Sequence, residues 1–171
     1  MAKKAKKVKA QSKKKVLPVP KGYHAVTAYL SIRGAAQAID FYKRAFGAKE
    51  LGAMYMPDGQ KLMHAEIQIG DSRIMLGEES PEMGAVSPQT LGGTPVTLNL
   101  YVEDCDASFK RAVDAGATPK MPPTDMFWGD RYGKVVDPFG HGWGILTHIE
   151  DVNEAEMGRR AQEWMSTMAK K

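Results

Sequence analysis

The chain has one cysteine, Cys105, among 171 residues. No internal disulfide can form, so stability must come from packing, and a reducing compartment is the expected setting. No apolar run approaches the roughly 20 residues that a helix needs to span a bilayer. The basic N-terminus is not followed by the apolar stretch of a signal peptide. A cytoplasmic protein with no membrane partner is therefore expected. Acids are missing from residues 1–15, which hold eight lysines, so the chain's net +4 becomes −4 for residues 16–171. Such a run repels itself and is expected to stay disordered. It offers weak, non-specific and salt-labile contact with polyanions, without aromatics to stack on bases. Serine-nucleophile elbows, phosphate-binding glycine loops and Cys/His zinc spacings are also lacking.

What is present is a motif that occurs twice. The first copy reads Tyr29-Leu-Ser-Ile32, a short linker, then Asp40-Phe-Tyr-Lys-Arg-Ala-Phe-Gly47-Ala48. The second reads Asn99-Leu-Tyr-Val102, a short linker, then Ser108-Phe-Lys-Arg-Ala-Val-Asp-Ala-Gly116-Ala117. A strand, a helix and a helix-stopping glycine recur at nearly constant spacing. Two copies of one supersecondary unit are implied, each too small to bury a core alone. A pseudo-symmetric pair leaves a cleft, where binding sites concentrate.

The patterning predicts α+β architecture with βαβββ order read twice. In the first half, strands are expected over 24–32, 49–56, 61–69 and 72–78, with a helix over 35–46. A connector fills 79–93. In the second half, strands are expected over 95–103, 131–136 and 142–149, a helix over 106–115, and an extended, proline-interrupted stretch over 117–127. Asp137-Pro-Phe-Gly140 reads as a turn, with Asp as side-chain cap and Gly supplying positive φ. A last helix starts at Asn153, whose spacing to Glu156 is that of a capping box. Met157, Ala161, Trp164 and Met168 share its apolar face. The expected organisation is a lysine-rich tail with a proline linker over 1–22, one domain over 23–150 with halves 23–79 and 94–150, and a C-terminal helix over 151–171. Cys105, just before a helix, reads as a small buried apolar residue.

These tandem units, the Asp40–Ala48 helix, and the strings Phe127-Trp-Gly-Asp-Arg-Tyr-Gly133 and Asp137-Pro-Phe-Gly-His141 resemble the vicinal oxygen chelate superfamily. That superfamily includes glyoxalase I, bleomycin-resistance proteins and extradiol dioxygenases; the PhnB-like branch is the nearer match. The resemblance covers roughly residues 23–165. It implies that each half curls its sheet into part of a cup, and that cups are completed at a dimer interface. The sequence leaves open whether the halves pair within one chain or between chains. Metal-dependent members place four ligands on cup-facing strand positions, which fall here at Thr27, Met75, Thr97 and Gly144. None is a usual ligand for Zn, Ni, Fe or Mn, which favour imidazole, carboxylate or thiolate. No metal ligand and no cofactor are therefore assigned, although a divalent metal at an atypical site is not excluded.

Other residues carry the remaining chemistry. His64 and Glu66, at i and i+2, share a strand face opposite Met63, Ala65, Ile67 and Ile69, about 7 Å apart. In a low-dielectric cleft such a pair suits general acid–base work, with Glu66 tuning His64; a satisfied polar pair on a partly solvated face is the plainer alternative. Alternation places Tyr29, Asn99 and Tyr101 towards the cup, and His148 with them. With Trp128 and Tyr132 they form a candidate aromatic lining. Arg131 suits a ligand carboxylate or phosphate, or an ion pair with Asp130, Asp137 or Glu66. The expected function is binding of a small organic ligand in a metal-free cup. The alternative is a lyase, isomerase or dioxygenase-type enzyme using His64 and Glu66.

Overall fold

The computed structural model describes residues 16–168. The lysine-rich stretch 1–15 lies outside them. The first half runs β1 (Tyr29–Ile32), α1 (Ala35–Phe46), β2 (Lys49–Tyr55), β3 (Leu62–Ile69) and β4 (Ser72–Glu78). A connector with one short helix, α2 (Pro88–Leu91), leads to the second half: β5 (Thr97–Tyr101), α3 (Cys105–Asp114), β6 (Thr118–Asp125), β7 (Asp130–Val136) and β8 (Gly142–His148). The chain closes on α4 (Glu154–Met168). The strand orders β1-β4-β3-β2 and β5-β8-β7-β6 are the same topology twice, with a parallel pair at β1/β4 and at β5/β8. The architecture is α+β, as the patterning predicts.

Local chemistry explains the elements and their departures from expectation. Helix α1 buries Ala38, Ile39, Tyr42 and Phe46 on one stripe and stops at Gly47, whose φ of 67° suits glycine. Helix α3 starts at Cys105 because the Asp104 carboxylate caps the Ala107 amide at 2.9 Å. Asn153 caps Glu156 at 3.0 Å as expected, but the Glu156 carboxylate turns to Arg159 and Arg160 instead of closing the box. Strand β1 begins at Tyr29, five residues later than the pattern suggested. Residues 24–28 bend instead, and Thr27 Oγ1 donates to the His24 carbonyl at 3.3 Å. Strand β6 tolerates three prolines because it is a sheet edge with two breaks in register. In β3 the expected alternation fails at one end: Leu62 is 1% exposed and Met63 is 44% exposed. An extra residue between the pairs Met54–His64 and Tyr55–Leu62 makes a bulge that turns Met63 outward.

The halves share one hydrophobic core built on their helix-covered sides. Phe46 and Trp143 rings lie 4.5 Å apart, and Phe41 meets Phe139 edge-on at 6.1 Å. Asp137, 3% exposed, ties them: its Oδ2 accepts from Tyr42 at 2.8 Å and Trp143 at 2.9 Å. Its Oδ1 accepts the Phe139 and His141 amides. Burial, then Asp137, pushes the Tyr42 hydroxyl pKa well up. Burial pushes His141 down, against the opposing pull of Asp137 and the Ser31 backbone. Cys105 is buried with its thiol 3.1 Å from the Ile145 carbonyl, and burial raises its pKa. The two sheets do not pair with each other, and the faces opposite their helices leave Tyr29, Met63 and Tyr101 44–61% exposed. Among the described residues no helix is long and apolar enough to cross a membrane.

Candidate functional site

The uncovered face of the first sheet gathers side chains that sequence alternation had grouped. The Tyr29–Met75 and Met75–Glu66 pairings place Tyr29, Met75 and Glu66 in one row. The Tyr29 ring stacks on His64 with centroids 5.9 Å apart. Tyr29 can lie flat because Gly77 sits beneath it; a Cβ there would be 2.6 Å from the Tyr29 hydroxyl. His64 Nε2 is 3.7 Å from Glu66 Oε1, beyond hydrogen-bond range, while Arg73 Nη1 donates to Glu66 Oε2 at 3.2 Å. The Tyr23 hydroxyl, then Arg73 and His64, hold the Glu66 carboxyl below its usual range, with burial opposing. Glu66 is therefore an ionised hub with several partners, and His64 is only one of them.

The uncovered face of the second sheet is centred on a residue that sequence reading mentioned only as a partner for Arg131. Asp130 is 5% exposed. Its Oδ2 accepts from the Tyr101 hydroxyl at 3.1 Å and from Trp128 Nε1 at 3.0 Å. Its Oδ1 lies 2.8 Å from His148 Nδ1, and His148 Nε2 lies 3.0 Å from the exposed Asp151. Asp130, then Asp151, raises the His148 pKa; the Asp130 hydrogen bond, then burial, raises that of Tyr101. The three acid–imidazole groups stand in a line with His148 in the middle. Among the described residues no group of three or more His, Cys, Asp or Glu side chains converges as a metal site.

Asn99 and Tyr132 close the floor of this face. Gly144 pairs with Asn99 in β5 and with Lys134 in β7. A Cβ added at Gly144 would collide with Asn99 Oδ1 and come within 2.7 Å of the Tyr132 ring. Burial raises the Tyr132 hydroxyl pKa. Trp128 stands against Tyr132 at 6.1 Å and against Phe127 at 4.9 Å. Arg131 is held apart from this group. Its guanidinium pairs with Asp106, Nη2 to Oδ1 at 2.8 Å, and with Asp125 at 2.7 Å. Adjacent strand residues point to opposite faces, so Asp130 and Arg131 cannot serve one face together. The structure brings Asn99, Tyr101, Trp128 and Tyr132 together, places Tyr29, His64 and Glu66 on the other sheet, and turns Arg131 to neither.

A sequence profile of the glyoxalase/bleomycin resistance protein/dioxygenase superfamily matches residues 24–145. The chain belongs to that superfamily. The Mycobacterium tuberculosis protein Rv0887c is 47% identical over 136 residues, covering 78% of this chain and 79% of its own. The crystal structure of the Arabidopsis thaliana At5g48480 gene product aligns with TM-score 0.59 and 28% identity over 72% of this chain and 98% of its own. A PhnB protein of Bacillus cereus shares the fold, with TM-score 0.56 and 15% identity over 72% of this chain and 99% of its own. The residues at the positions that the resemblance assigns to metal ligands are chemically poor ligands for a transition metal. Thr27, Met75 and Thr97 supply neither imidazole nor carboxylate nor thiolate, and the space over Gly144 is taken by Asn99 and Tyr132.

Proposed function

We propose that this chain binds a small organic molecule on its uncovered sheet faces, without a transition metal at the superfamily's ligand positions. The observation that carries the reading is the closure over Gly144, where Asn99 and Tyr132 stand in place of a fourth ligand. Hydrogen-bonding groups and aromatic rings surround that point, a combination suited to orienting an organic ligand. A second copy of the chain completes the cup. In support, the two halves meet through their helix sides, and Tyr29, Met54, Met63 and Tyr101 are left 44–61% exposed. Trp128 reports occupancy. In a Trp143→Phe, Trp164→Phe background, a ligand that raises the melting temperature shifts Trp128 emission. A stabilising ligand that leaves the emission unchanged contradicts this placement.

A second reading is favoured by the Asp130–His148 pair. A buried carboxylate on Nδ1 fixes the imidazole, and Nε2 can take or give a proton once the exposed Asp151, 3.0 Å away, releases it. This would make the chain an enzyme of lyase or isomerase type, with His148 rather than His64 moving the proton. His148→Gln then abolishes turnover while leaving ligand-induced Trp128 emission in place. His64→Ala, by contrast, weakens binding with little change in melting temperature. Lost stability with unchanged binding would make His64 structural.

A further inference from the structure

The segment 16–28 forms a strap against the open face of the first sheet, with Pro18, Val19 and Tyr23 beside Glu66 and Met75. It carries no strand of its own, and a backbone bond from the Met75 amide to the Ala28 carbonyl, 3.0 Å, joins its end to β4. Gly22, at φ 86°, lets the strap press against Arg73; a Cβ there would stand 3.0 Å from the guanidinium. The next residue, Tyr23, is thereby set under Arg73, with the guanidinium carbon 4.6 Å from the ring centroid. The ring borders the same groove as Glu66, and its hydroxyl is foremost among the influences that lower the Glu66 pKa. Beside the ring lies an open groove of about 520 Å³, bordered by Pro18, Val19, Tyr23 and Thr27 from the strap and by Glu66 and Met75 from the sheet.

We propose that Tyr23 is an internal occupant of the cup, and that the ligand which takes its place carries a hydroxylated aromatic ring. The site offers the Tyr23 ring a guanidinium over one face, a carboxylate acceptor for its hydroxyl, and apolar walls from Val19 and Met75. A free phenol finds the guanidinium, the carboxylate and the Met75 side chain once the strap swings out. Aliphatic ligands would forgo the guanidinium–ring contact, and unhydroxylated rings would forgo the bond to Glu66. The inference names a ligand class for the site proposed above and rests on that reading.

The test uses the full chain with methyl-labelled methionine, p-cresol and toluene, following the Met75 methyl resonance, assigned with Met75→Leu. Wild type binds p-cresol weakly, and Tyr23→Ala binds it at least ten-fold more tightly. Tyr23→Ala prefers p-cresol over toluene by at least ten-fold, and adding Glu66→Gln removes the preference. Tyr23→Phe, which keeps the packing, gives an intermediate affinity. Equal p-cresol affinity in wild type and Tyr23→Ala overturns the proposal, as does equal affinity for toluene. Trp128 emission is read in the same samples. A Trp128 response without a Met75 response removes the Tyr23 proposal and leaves the cup reading standing. Silence at both, for every ring compound tried, removes both.

Discussion

Asp130 and Asp137 are both buried and both saturated with donors, yet they serve different faces of the second sheet. Asp137 accepts from Tyr42, Trp143 and two backbone amides, and so locks the halves together. Asp130 accepts from Tyr101 and Trp128 and holds His148, all on the uncovered side. The sign of the pH effect follows from His148. Its pKa is raised in the folded state, so the stability it contributes is fully present below its unfolded value and is lost as pH rises through the folded one. A proton NMR titration of the His148 ring reads this directly: the midpoint lies above about 6.5 in wild type and falls in Asp130→Asn. A midpoint unmoved by that substitution would mean Asp130 does not govern the imidazole. From sequence, Asp130 was visible only as a neighbour of Arg131. Its role depends on Trp128, Tyr101 and His148, which are separated along the chain and meet only in the folded sheet.

At the scale of elements, much was legible because helix and strand periodicities were clean. The repeat itself located α1, α3, β1 and β5, and turn chemistry located the β7–β8 hairpin. What escaped depended on pairing partners. The β3 bulge reverses Leu62 and Met63, and only the register against β2 reveals it. The start of β1 moved because residues 24–28 leave the sheet edge for the strap. The face assignments survived because β5, β7 and β8 alternate without a bulge over the site. Gly144 tests the packing of that region. Gly144→Ala forces Asn99 and Tyr132 aside and costs about 1–3 kcal/mol, the usual range for overpacking, measured by chemical denaturation. A cost below about 0.5 kcal/mol would mean that the two side chains relax freely and do not seal the floor.

For the molecule as a whole, one core holds two sheets back to back and leaves two half-cups open. The exposed Tyr and Met side chains on those faces lead us to expect a dimer in sedimentation at micromolar concentration, and a monomer there would leave each half-cup to bind alone. Metal content decides whether the cup works as proposed, and elemental mass spectrometry reads it in the full chain, purified without chelator or affinity tag and then incubated with Zn, Ni, Mn and Fe(II). Less than about a tenth of an equivalent of any metal is predicted, because Thr27, Met75, Thr97 and Gly144 offer no donor set that those ions favour. Near-stoichiometric retention of one metal would contradict the account and make His64 and Glu66 the first ligands to examine.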